Sequence, residues 1–184
     1  MRKIISSEWV SLDGYFAGPK GEIDWFVWNK EASDFSVELA TGIDTMLFGR
    51  VTYEGMAAYW PNAKPSENDP AIIEKMNGTA KIVFSRSLKK ADWSNTSIVP
   101  EIEIESMMQL KNEPGKDIVV YGSGDVLSAL CDLGLVDEHY IFVNPVILGS
   151  GKPLFPARGR KQTLRLLDSK AFSSGVVMLH YATK

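Results

Sequence analysis

The segment Thr45–Met56, TMLFGRVTYEGM, joins an apolar run to a helical pattern through Gly49 and Arg50. The apolar run predicts a strand covered on both faces, and Thr52 is expected to begin and cap the helix. Asp117–Leu130, DIVVYGSGDVLSAL, has the same order of strand, glycine-rich turn and helix. Glycine lets a ligand approach the backbone, and the N–H groups at a helix start attract anions. Two such joints predict a site for a phosphate-bearing cofactor.

The composition limits the class of protein. The chain has 184 residues, of which 45% are hydrophobic and 23% are charged, as in an ordinary globular domain. Since no linker is visible, residues 1–184 are expected to form a single domain. The formal net charge of -3 predicts no general attraction to nucleic acid or to a membrane surface. With no signal-peptide pattern and no apolar run near ~18 residues, we expect a cytoplasmic enzyme or binding protein.

Cysteine and histidine are too few to predict a metal centre. Cys131 is the single cysteine, so no intrachain disulfide can form, and its apolar surroundings favour packing over nucleophilic chemistry. His139 and His180 both lie in strand-like runs. A zinc site needs several suitable ligands close together, and no such cluster is visible. We therefore expect no metal site.

The order of predicted elements indicates an α/β sheet that is mostly parallel early and antiparallel at its C-terminal edge. A strand at 3–10 precedes a long loop, and a helix is predicted at Lys30–Thr41. A long strand is predicted at Leu135–Leu148, which could offer a sheet edge to a partner. The runs Leu164–Phe172 and Val176–Tyr181 predict a closing hairpin.

Candidate cofactor residues follow three predicted strands. One group is Gly49, Arg50 and Thr52, the second is Ser85 and Arg86, and the third is Gly122, Ser123 and Gly124. In a parallel sheet, ligands bind at the carboxyl ends of the strands. Two arginines on separate strand ends suit a phosphate monoester, which favours NADPH over NADH. A glycine followed by arginine is more often a tight turn with a surface charge, so the joint occurrence carries the prediction.

The loop Ser11–Trp28 is rich in aromatic residues. They are Tyr15, Phe16, Trp25, Phe26 and Trp28. Exposed rings are unfavourable unless something covers them. Two interpretations stay open: the rings cover an edge of the core, or they line a pocket for a flat ligand.

Five segments, in this order, resemble the dihydrofolate reductase superfamily, and within it the reductases of riboflavin biosynthesis. The segments are SLDGYFAG, LFGRVTYEGM, KIVFSRSL, IVVYGSGDVLSALCDLGLVDE and NPVILGSGKPLF. The resemblance implies a mixed sheet of about eight strands with helices on both faces. It also implies an NADPH cofactor, a small-molecule substrate and a homodimer.

The resemblance further implies roles for the strand ends. Gly49–Thr52 would hold the adenosine phosphate and pyrophosphate, and Ser85 with Arg86 would flank the 2′-phosphate. The Gly122–Gly124 turn, with Asp125 and Val126, would take the pyrophosphate and the nicotinamide side. The Ser11-Leu12-Asp13-Gly14 loop would close over the nicotinamide.

The catalytic and substrate-binding residues are the part of the site that the sequence defines least. Asp13 and Asp34 are the carboxylates near the predicted mouth and are candidate proton donors, acting directly or through a water. The candidate substrate residues are Trp25, Trp28, Trp60 and Lys152, with Tyr53 as a further possible wall. Core packing competes for the aromatic residues, and a plain loop competes for Lys152. A reductase is the leading hypothesis, and the alternatives are a non-catalytic nucleotide-binding or regulatory protein and a structural oligomer.

Overall fold

The computed structural model describes residues 1–156 and 161–184. The strands are β1 (Ile4–Ser11), β2 (Tyr15–Ala17), β3 (Ile43–Gly49), β4 (Ala80–Phe84), β5 (Thr96–Val99), β6 (Asp117–Tyr121), β7 (Glu138–Asn144), β8 (Lys152–Pro153), β9 (Leu164–Ala171) and β10 (Val177–Thr183). The helices are α1 (Lys30–Thr41), α2 (Arg50–Tyr59), α3 (Pro70–Gly78), α4 (Ile104–Asn112) and α5 (Gly124–Asp132), with a 3-10 turn at Trp60–Asn62.

Eight strands form one mixed sheet in the order β5-β4-β3-β6-β1-β7-β10-β9. The six strands from β5 to β7 are parallel, and β10 runs antiparallel to both β7 and β9. The predicted α/β sheet with an antiparallel C-terminal edge is therefore confirmed. Two short strands, β2 and β8, form a separate antiparallel pair that the sequence did not predict.

Helices cover both faces of the sheet, as predicted. Alternate residues of β1 enter different cores: Ile4 and Val10 pack with α4 and α5, whereas Ile5 packs with α1, α2 and α3. This alternation follows from the two-residue period of a strand. The carboxyl ends of β4, β3, β6 and β1 therefore lie at one edge of the sheet, with helices on both of its faces.

The predicted start of α2 is wrong. The helix begins at Arg50, and Gly49 is its N-cap residue with φ -85° and ψ 164°. Thr52 is therefore the third helical residue rather than the cap. The glycine ends the strand and begins the helix without an intervening loop, which leaves no place for a later cap.

The predicted strand at Leu135–Leu148 is too long. The observed strand is β7, and its last residue, Asn144, makes three side-chain bonds to the backbone, one of them to the Phe142 carbonyl. The Asn144 side chain donates to the Val10 carbonyl (3.2 Å) and accepts from the Val27 N–H (2.9 Å). Because β7 lies between β1 and β10, it offers no edge to a partner, and the edge strands are β5 and β9.

Lys81 of β4 is a buried cation that joins α3 to the loop before β5. Its side chain is 1% exposed. Its Nζ donates to the carbonyls of Thr79 (2.7 Å), Asn77 (3.1 Å) and Ser94 (3.2 Å). The same atom lies 4.3 Å from the centroid of the Trp93 ring. Burial lowers the pKa of Lys81 to about 8, and the carbonyls and the ring stabilise the ammonium form against that effect.

We expect Lys81→Met to lower the free energy of unfolding by about 2–4 kcal/mol, because it leaves buried carbonyls without donors. Urea denaturation of the two proteins measures the difference. The matched control is Lys89→Met, since Lys89 is exposed and its replacement should change stability little. Equal stability of Lys81→Met and the wild type would contradict the role of the ammonium group.

Candidate functional site

The strand–helix joints that follow β3 and β6 lie side by side. β3 pairs with β4 at Gly49 and Phe84, and with β6 at Leu47 and Val120. The Gly49 N–H donates to the Ser123 Oγ at 2.7 Å, so a side chain of one joint binds the backbone of the other. The predicted grouping of these two turns is therefore present in the fold.

Gly122 takes a left-handed backbone conformation beside α2, and the approach of a phosphate to it stays a prediction. Its φ is +55°, and the following Ser123 also has a positive φ of 58°. A Cβ on Gly122 would lie 3.1 Å from the Thr52 Cγ2. Glycine is thus favoured both by its left-handed conformation and by the nearby wall of α2.

The helix starts at these joints have no side-chain cap. No side chain in residues 1–156 and 161–184 accepts from the first amides of α2 or α5. By contrast, Asn29 caps α1 and Asp69 caps α3. The start of α4, beyond β5, is also uncapped. Uncapped helix amides carry partial positive charge and can bind an anion.

The two predicted arginines are exposed and paired with carboxylates. Arg50 Nη1 lies 2.8 Å from Glu54 Oε2, and Arg86 pairs with Glu101. The Ser85 Oγ accepts from the N–H groups of Ser87 (3.2 Å) and Leu88 (3.0 Å), which fixes the turn carrying Arg86. Exposed ion pairs contribute little to stability. Both guanidinium groups can therefore exchange their partner for a phosphate at small cost.

Asp125 and Val126 differ in what they can contact. Asp125 is exposed in the first turn of α5. Val126 is 6% exposed, and its Cγ2 would lie 3.3 Å from a Cβ on Gly49. Val126 therefore packs the two joints together, whereas Asp125 faces solvent beside them.

The candidate acids have other partners. The two carboxylate oxygens of Asp13 accept from the N–H groups of Leu148 (3.1 Å) and Gly149 (2.8 Å). A hydrogen bond from Ser11, followed by these amides, lowers the pKa of Asp13. Asp34 pairs with Lys30 on an exposed face of α1 at 2.7 Å. These contacts favour an anchoring role for Asp13 and a solvent-facing role for Asp34.

The predicted substrate residues lie in three places. Trp28 packs on Trp9 with ring centroids 4.8 Å apart, and Trp25 meets Phe26 edge-on at 4.6 Å. Trp9 in turn stacks on the core residue Phe142, so the loop rings extend the core. Trp28 is nevertheless 53% exposed, which leaves part of its ring available to a ligand.

Trp60 is not grouped with those rings. Its Nε1 donates to the Met56 Sδ, and its ring meets Tyr59 edge-on at 5.2 Å, at the end of α2. Tyr53 is a core residue, 3% exposed, whose hydroxyl accepts from the Trp93 N–H. Lys152 is exposed on β8. Its Nζ lies close to Gly21, 3.4 Å from where a Cβ on that glycine would be.

Glu8 is the charged-type side chain that the sequence reasoning missed. It lies on β1 beside the Gly122 turn and is 1% exposed. No group in the described part of the chain bonds its Oε1. Burial raises the pKa of Glu8 well above its usual range, and the Gly122 N–H donates to the carboxyl and partly opposes that effect. The available signal was an acidic residue in the same two-residue phase as Ile4 and Val10.

A row of hydroxyl groups on the opposite face was also missed. Ser7 pairs with Tyr121 on one side and with Tyr140 on the other. Burial raises the pKa of Tyr121 to about 12 and also raises the pKa of Tyr140. Both phenols are therefore protonated at neutral pH and can donate hydrogen bonds. Tyr121 is the residue immediately before Gly122, whereas Tyr140 lies two strands away.

Two open cavities lie elsewhere. One, of about 420 Å³, lies between the end of α5 and residues 161–163 and 183–184. The other, of about 350 Å³, includes Pro61, Asn77 and Trp93. Neither of these two cavities is lined by a predicted cofactor residue.

Residues 1–156 and 161–184 contain neither a metal-binding cluster nor a membrane-spanning helix. No group of three His, Cys, Asp or Glu side chains there is arranged to hold a metal ion. No helix in the same ranges has the length and apolarity that crossing a bilayer requires.

The sequence matches the profile of the RibD C-terminal domain over residues 2–178. The chain belongs to the RibD C-terminal domain family. It is 33% identical to the uncharacterized protein YyaP of Bacillus subtilis over 180 residues, which covers 98% of this chain and 94% of YyaP. It is 30% identical to the uncharacterized protein YwjB of the same organism, covering 98% and 97%.

Solved structures agree on the fold. A protein from Shewanella sp. PV-4, named for riboflavin biosynthesis, superposes with a TM-score of 0.79 at 22% identity, covering 100% of this chain and 99% of that one. A diaminohydroxyphosphoribosylaminopyrimidine deaminase/5-amino-6-(5-phosphoribosylamino)uracil reductase of Thermotoga maritima gives 0.71 at 16% identity, covering 100% and 57%. RibD of Acinetobacter baumannii gives 0.71 at 17%, covering 100% and 58%. The dihydrofolate reductase-like fold is thus confirmed, and the scaffold is reductase-like.

We expect Glu8→Gln to stabilise the protein increasingly as pH rises. The folded chain holds the Glu8 proton more tightly than the unfolded chain does, so the wild type loses stability as pH rises from the unfolded towards the folded pKa of Glu8. The Glu8→Gln variant has no ionisable group at this position, so its stability does not fall with pH for this reason. The stability difference should grow by at most about 1.4 kcal/mol per pH unit between about pH 5 and the folded pKa.

Urea denaturation at several pH values measures this difference. The control is Glu31→Gln, because hydrogen bonds from Ser173 lower the pKa of Glu31. Its contribution to stability is complete above the unfolded pKa, so its effect should stay constant over the same range. A constant effect of Glu8→Gln would show that Glu8 is ionised in the folded protein.

Proposed function

We propose that this protein is an NADPH-dependent reductase of a small heteroaromatic or sugar-like molecule. The observation that carries the proposal is the bond from the Gly49 N–H to the Ser123 Oγ, which joins two uncapped helix starts. Together they offer a continuous set of amide donors, and an extended diphosphate fits such a set. Arg50 and Arg86 stand at the neighbouring strand ends and suit a 2′-phosphate.

The relatives support the same chemistry. One structural neighbour is named as a reductase of a phosphoribosylaminouracil, and the family as a whole has a reductase-like scaffold. The site here offers glycine where a phosphate must approach the backbone. It also offers the guanidinium groups of Arg50 and Arg86, whose ion-pair partners are exposed carboxylates.

NADPH, when bound, supplies a hydride to a C=N or C=O bond of the substrate. Within the proposal, the diphosphate is bound by Gly49, Thr52 and the Gly122–Gly124 turn. The 2′-phosphate is bound by Arg50 and Arg86. Ser85 orients the turn that carries Arg86, and Asp125 flanks the diphosphate at the start of α5. Val126 keeps the two joints packed together. These residues orient the cofactor and exclude water from it.

A proton must also reach the substrate. Asp13 and Asp34 remain the proposed catalytic carboxylates, and their role would be to orient a water that relays the proton, since Asp13 with its lowered pKa is ionised at neutral pH. The phenol of Tyr121 is a further candidate, because it is protonated and lies on the strand that leads into Gly122. A group with this pKa suits a hydrogen-bond donor better than a proton donor at neutral pH.

Trp25, Trp28 and Lys152 are proposed to receive the substrate. Trp28 offers a partly exposed ring for a flat group, and Lys152 offers a cation for a substrate phosphate. Trp60 is also proposed to border the substrate, on the side of α2 and apart from the rings of Trp25 and Trp28.

A non-catalytic nucleotide-binding or regulatory protein is the alternative. The specific observation in its favour is that the carboxylates of Asp13 and Asp34 are engaged in structural contacts. Titration with NADPH while recording tryptophan fluorescence tests binding, since the chain has five Trp residues. NADPH oxidation against a panel of pterins, pyrimidinones and small carbonyls then separates a reductase from a binding protein. The absence of a saturable response to NADPH and NADH would refute both.

The double variant Arg50→Ala/Arg86→Ala should bind NADPH about 10²-fold more weakly and NADH nearly as well as the wild type, because only NADPH has a 2′-phosphate. Fluorescence titration measures both affinities. A matched variant, Glu101→Gln, removes the carboxylate that competes for Arg86 and should strengthen NADPH binding more than NADH binding. Equal losses for the two nucleotides in the double variant would contradict the 2′-phosphate assignment.

A homodimer in the cytoplasm belongs to the same proposal. The edge strand β9 and its neighbour β10 leave apolar side chains exposed, namely Leu166, Leu167 and Val177. These side chains are proposed to take part in the contact between two copies, because exposed apolar residues on an edge strand favour association.

We expect light scattering with size-exclusion chromatography to give twice the chain mass, and Leu166→Glu to shift the protein to the monomer. A charge placed in an apolar interface has no partner there, which weakens association. Ile104→Glu, on exposed α4, is the control and should leave the mass unchanged. A monomeric wild type would contradict the dimer.

A further inference from the structure

Polar side chains form a row across the middle of the sheet, on the face that α1, α2 and α3 cover. Ser7 on β1 pairs with Tyr121 on β6 and with Tyr140 on β7. Tyr140 in turn pairs with His180 on β10. Residues that pair across adjacent strands point to the same face of a sheet, and both tyrosines pack against the core of this face. Ser7, Tyr121 and Tyr140 are the hydroxyl row.

The hydroxyl groups of this row have no hydrogen-bond partner within residues 1–156 and 161–184. Ser7 is nevertheless only 7% exposed. A buried hydroxyl group without a partner is rare, because nothing compensates for its lost contact with water. In the same ranges, the hydroxyl oxygens that are both unbonded and completely enclosed belong to Ser128 and Ser174. Those of the hydroxyl row therefore reach open space, where a ligand can bond them.

Each tyrosine of the hydroxyl row stacks on a ring that lies away from Ser7. The Tyr140 ring stacks on His180 with centroids 3.9 Å apart, and the Tyr121 ring stacks on Phe48 at 6.5 Å. Because the strands follow in the order β3-β6-β1-β7-β10, these stacking partners lie on the two outer sides of the row. Serine is also much shorter than tyrosine. Ser7 is therefore the floor of a slot that has a phenol on either side.

The slot borders both parts of the proposed site. Tyr121 is the last residue of β6 and directly precedes Gly122 of the proposed diphosphate turn. Trp9 lies two residues after Ser7 and thus on the same face of β1. The Trp9 ring packs on Trp28, which is proposed to receive the substrate. A molecule held between the cofactor and Trp28 therefore lies beside the slot.

The charged groups beside Tyr140 disfavour an anion in the slot. Lys3 and His180 both bond the carboxylate of Glu138, at 2.6 and 2.9 Å. Burial, followed by that carboxylate, raises the pKa of Tyr140, and Asp117 adds to the effect while Lys3 opposes it. Surroundings that oppose a phenolate also oppose a bound phosphate or carboxylate. The slot thus suits an uncharged group, whose carbonyl oxygens or ring nitrogens would accept from the hydroxyl donors.

We propose that the hydroxyl row determines substrate specificity, because Ser7, Tyr121 and Tyr140 bond an uncharged polar group of the substrate. The reaction that follows rests on the proposed function, whereas the binding of such a group to the row does not. A site that is built to bond a polar group rejects an analogue without it, because the hydroxyl groups of the site are then left unpaired.

Benzamide and benzoate are matched probes, since they share a ring and differ in charge. Tyrosine labelled at its phenolic carbon gives an NMR signal for each phenol, and hydrogen bonding shifts that signal. Without nucleotide, benzamide should shift the signals of Tyr121 and Tyr140 and leave that of Tyr181 unchanged. Tyr181 is the control because it pairs with His139, whose ring bonds Ser6 on the opposite face. Benzoate should bind about tenfold more weakly than benzamide.

Three variants remove one oxygen each and keep the packing, namely Ser7→Ala, Tyr121→Phe and Tyr140→Phe. Each should weaken benzamide binding about tenfold, which corresponds to the loss of one hydrogen bond. Tyr181→Phe is the matched control and should bind benzamide as the wild type does. Circular dichroism checks the folding of all four variants, and the signal shifts of the wild type test the proposal even if one of them does not fold.

Each outcome decides the proposal. It would be overturned if benzamide shifts neither the Tyr121 nor the Tyr140 signal, or if Tyr121→Phe and Tyr140→Phe bind benzamide as tightly as the wild type. Tighter binding of benzoate than of benzamide would also overturn it. Shifts at both tyrosines with weaker binding in the variants would support it even if the protein does not bind NADPH, a result that would refute only the proposed function. Binding of NADPH without any effect of benzamide on the row would refute only the role of the row.

Discussion

One hydrogen bond, from the Gly49 N–H to the Ser123 Oγ, links the carboxyl ends of β3 and β6, where the proposed cofactor site lies. It joins the turn after β3 to the turn after β6, and both turns lead directly into helices. Neither helix start is capped by a side chain in the described ranges, so the first amides of both helices lack side-chain partners.

The sheet order explains why the site lies where it does. β1 lies between β6 and β7 in the middle of the sheet, so the loop after β1 opens beside the glycine-rich turn. Aromatic residues of that loop pack on β1 and β7 through Trp9 and Phe142. The cofactor strands and the aromatic loop thus border the same edge, although they are far apart in sequence.

Local signals in the sequence predicted most of the fold. The helix at Lys30–Thr41 has the predicted bounds because Asn29 caps its start and Gly42 follows its end. The start of α2 was misplaced because a threonine in the first helical turn has the same composition signal as a cap. The burial of Glu8 could not be predicted from the sequence near it, because the strand and helix that pack beside β1, β6 and α5, lie far along the chain. For the same reason, the separation of Trp60 from Trp25 and Trp28 depends on strand order, which no local pattern encodes.

The pairing of β2 with β8 has a consequence for motion at this edge. The loop after β1 and the segment after β7 are joined by that pair, by the bond from the Leu154 N–H to the Gly14 carbonyl, and by the Asp13 carboxylate on two further amides. Neither segment can open alone without breaking several bonds at once. Any rearrangement of either segment would therefore move both together.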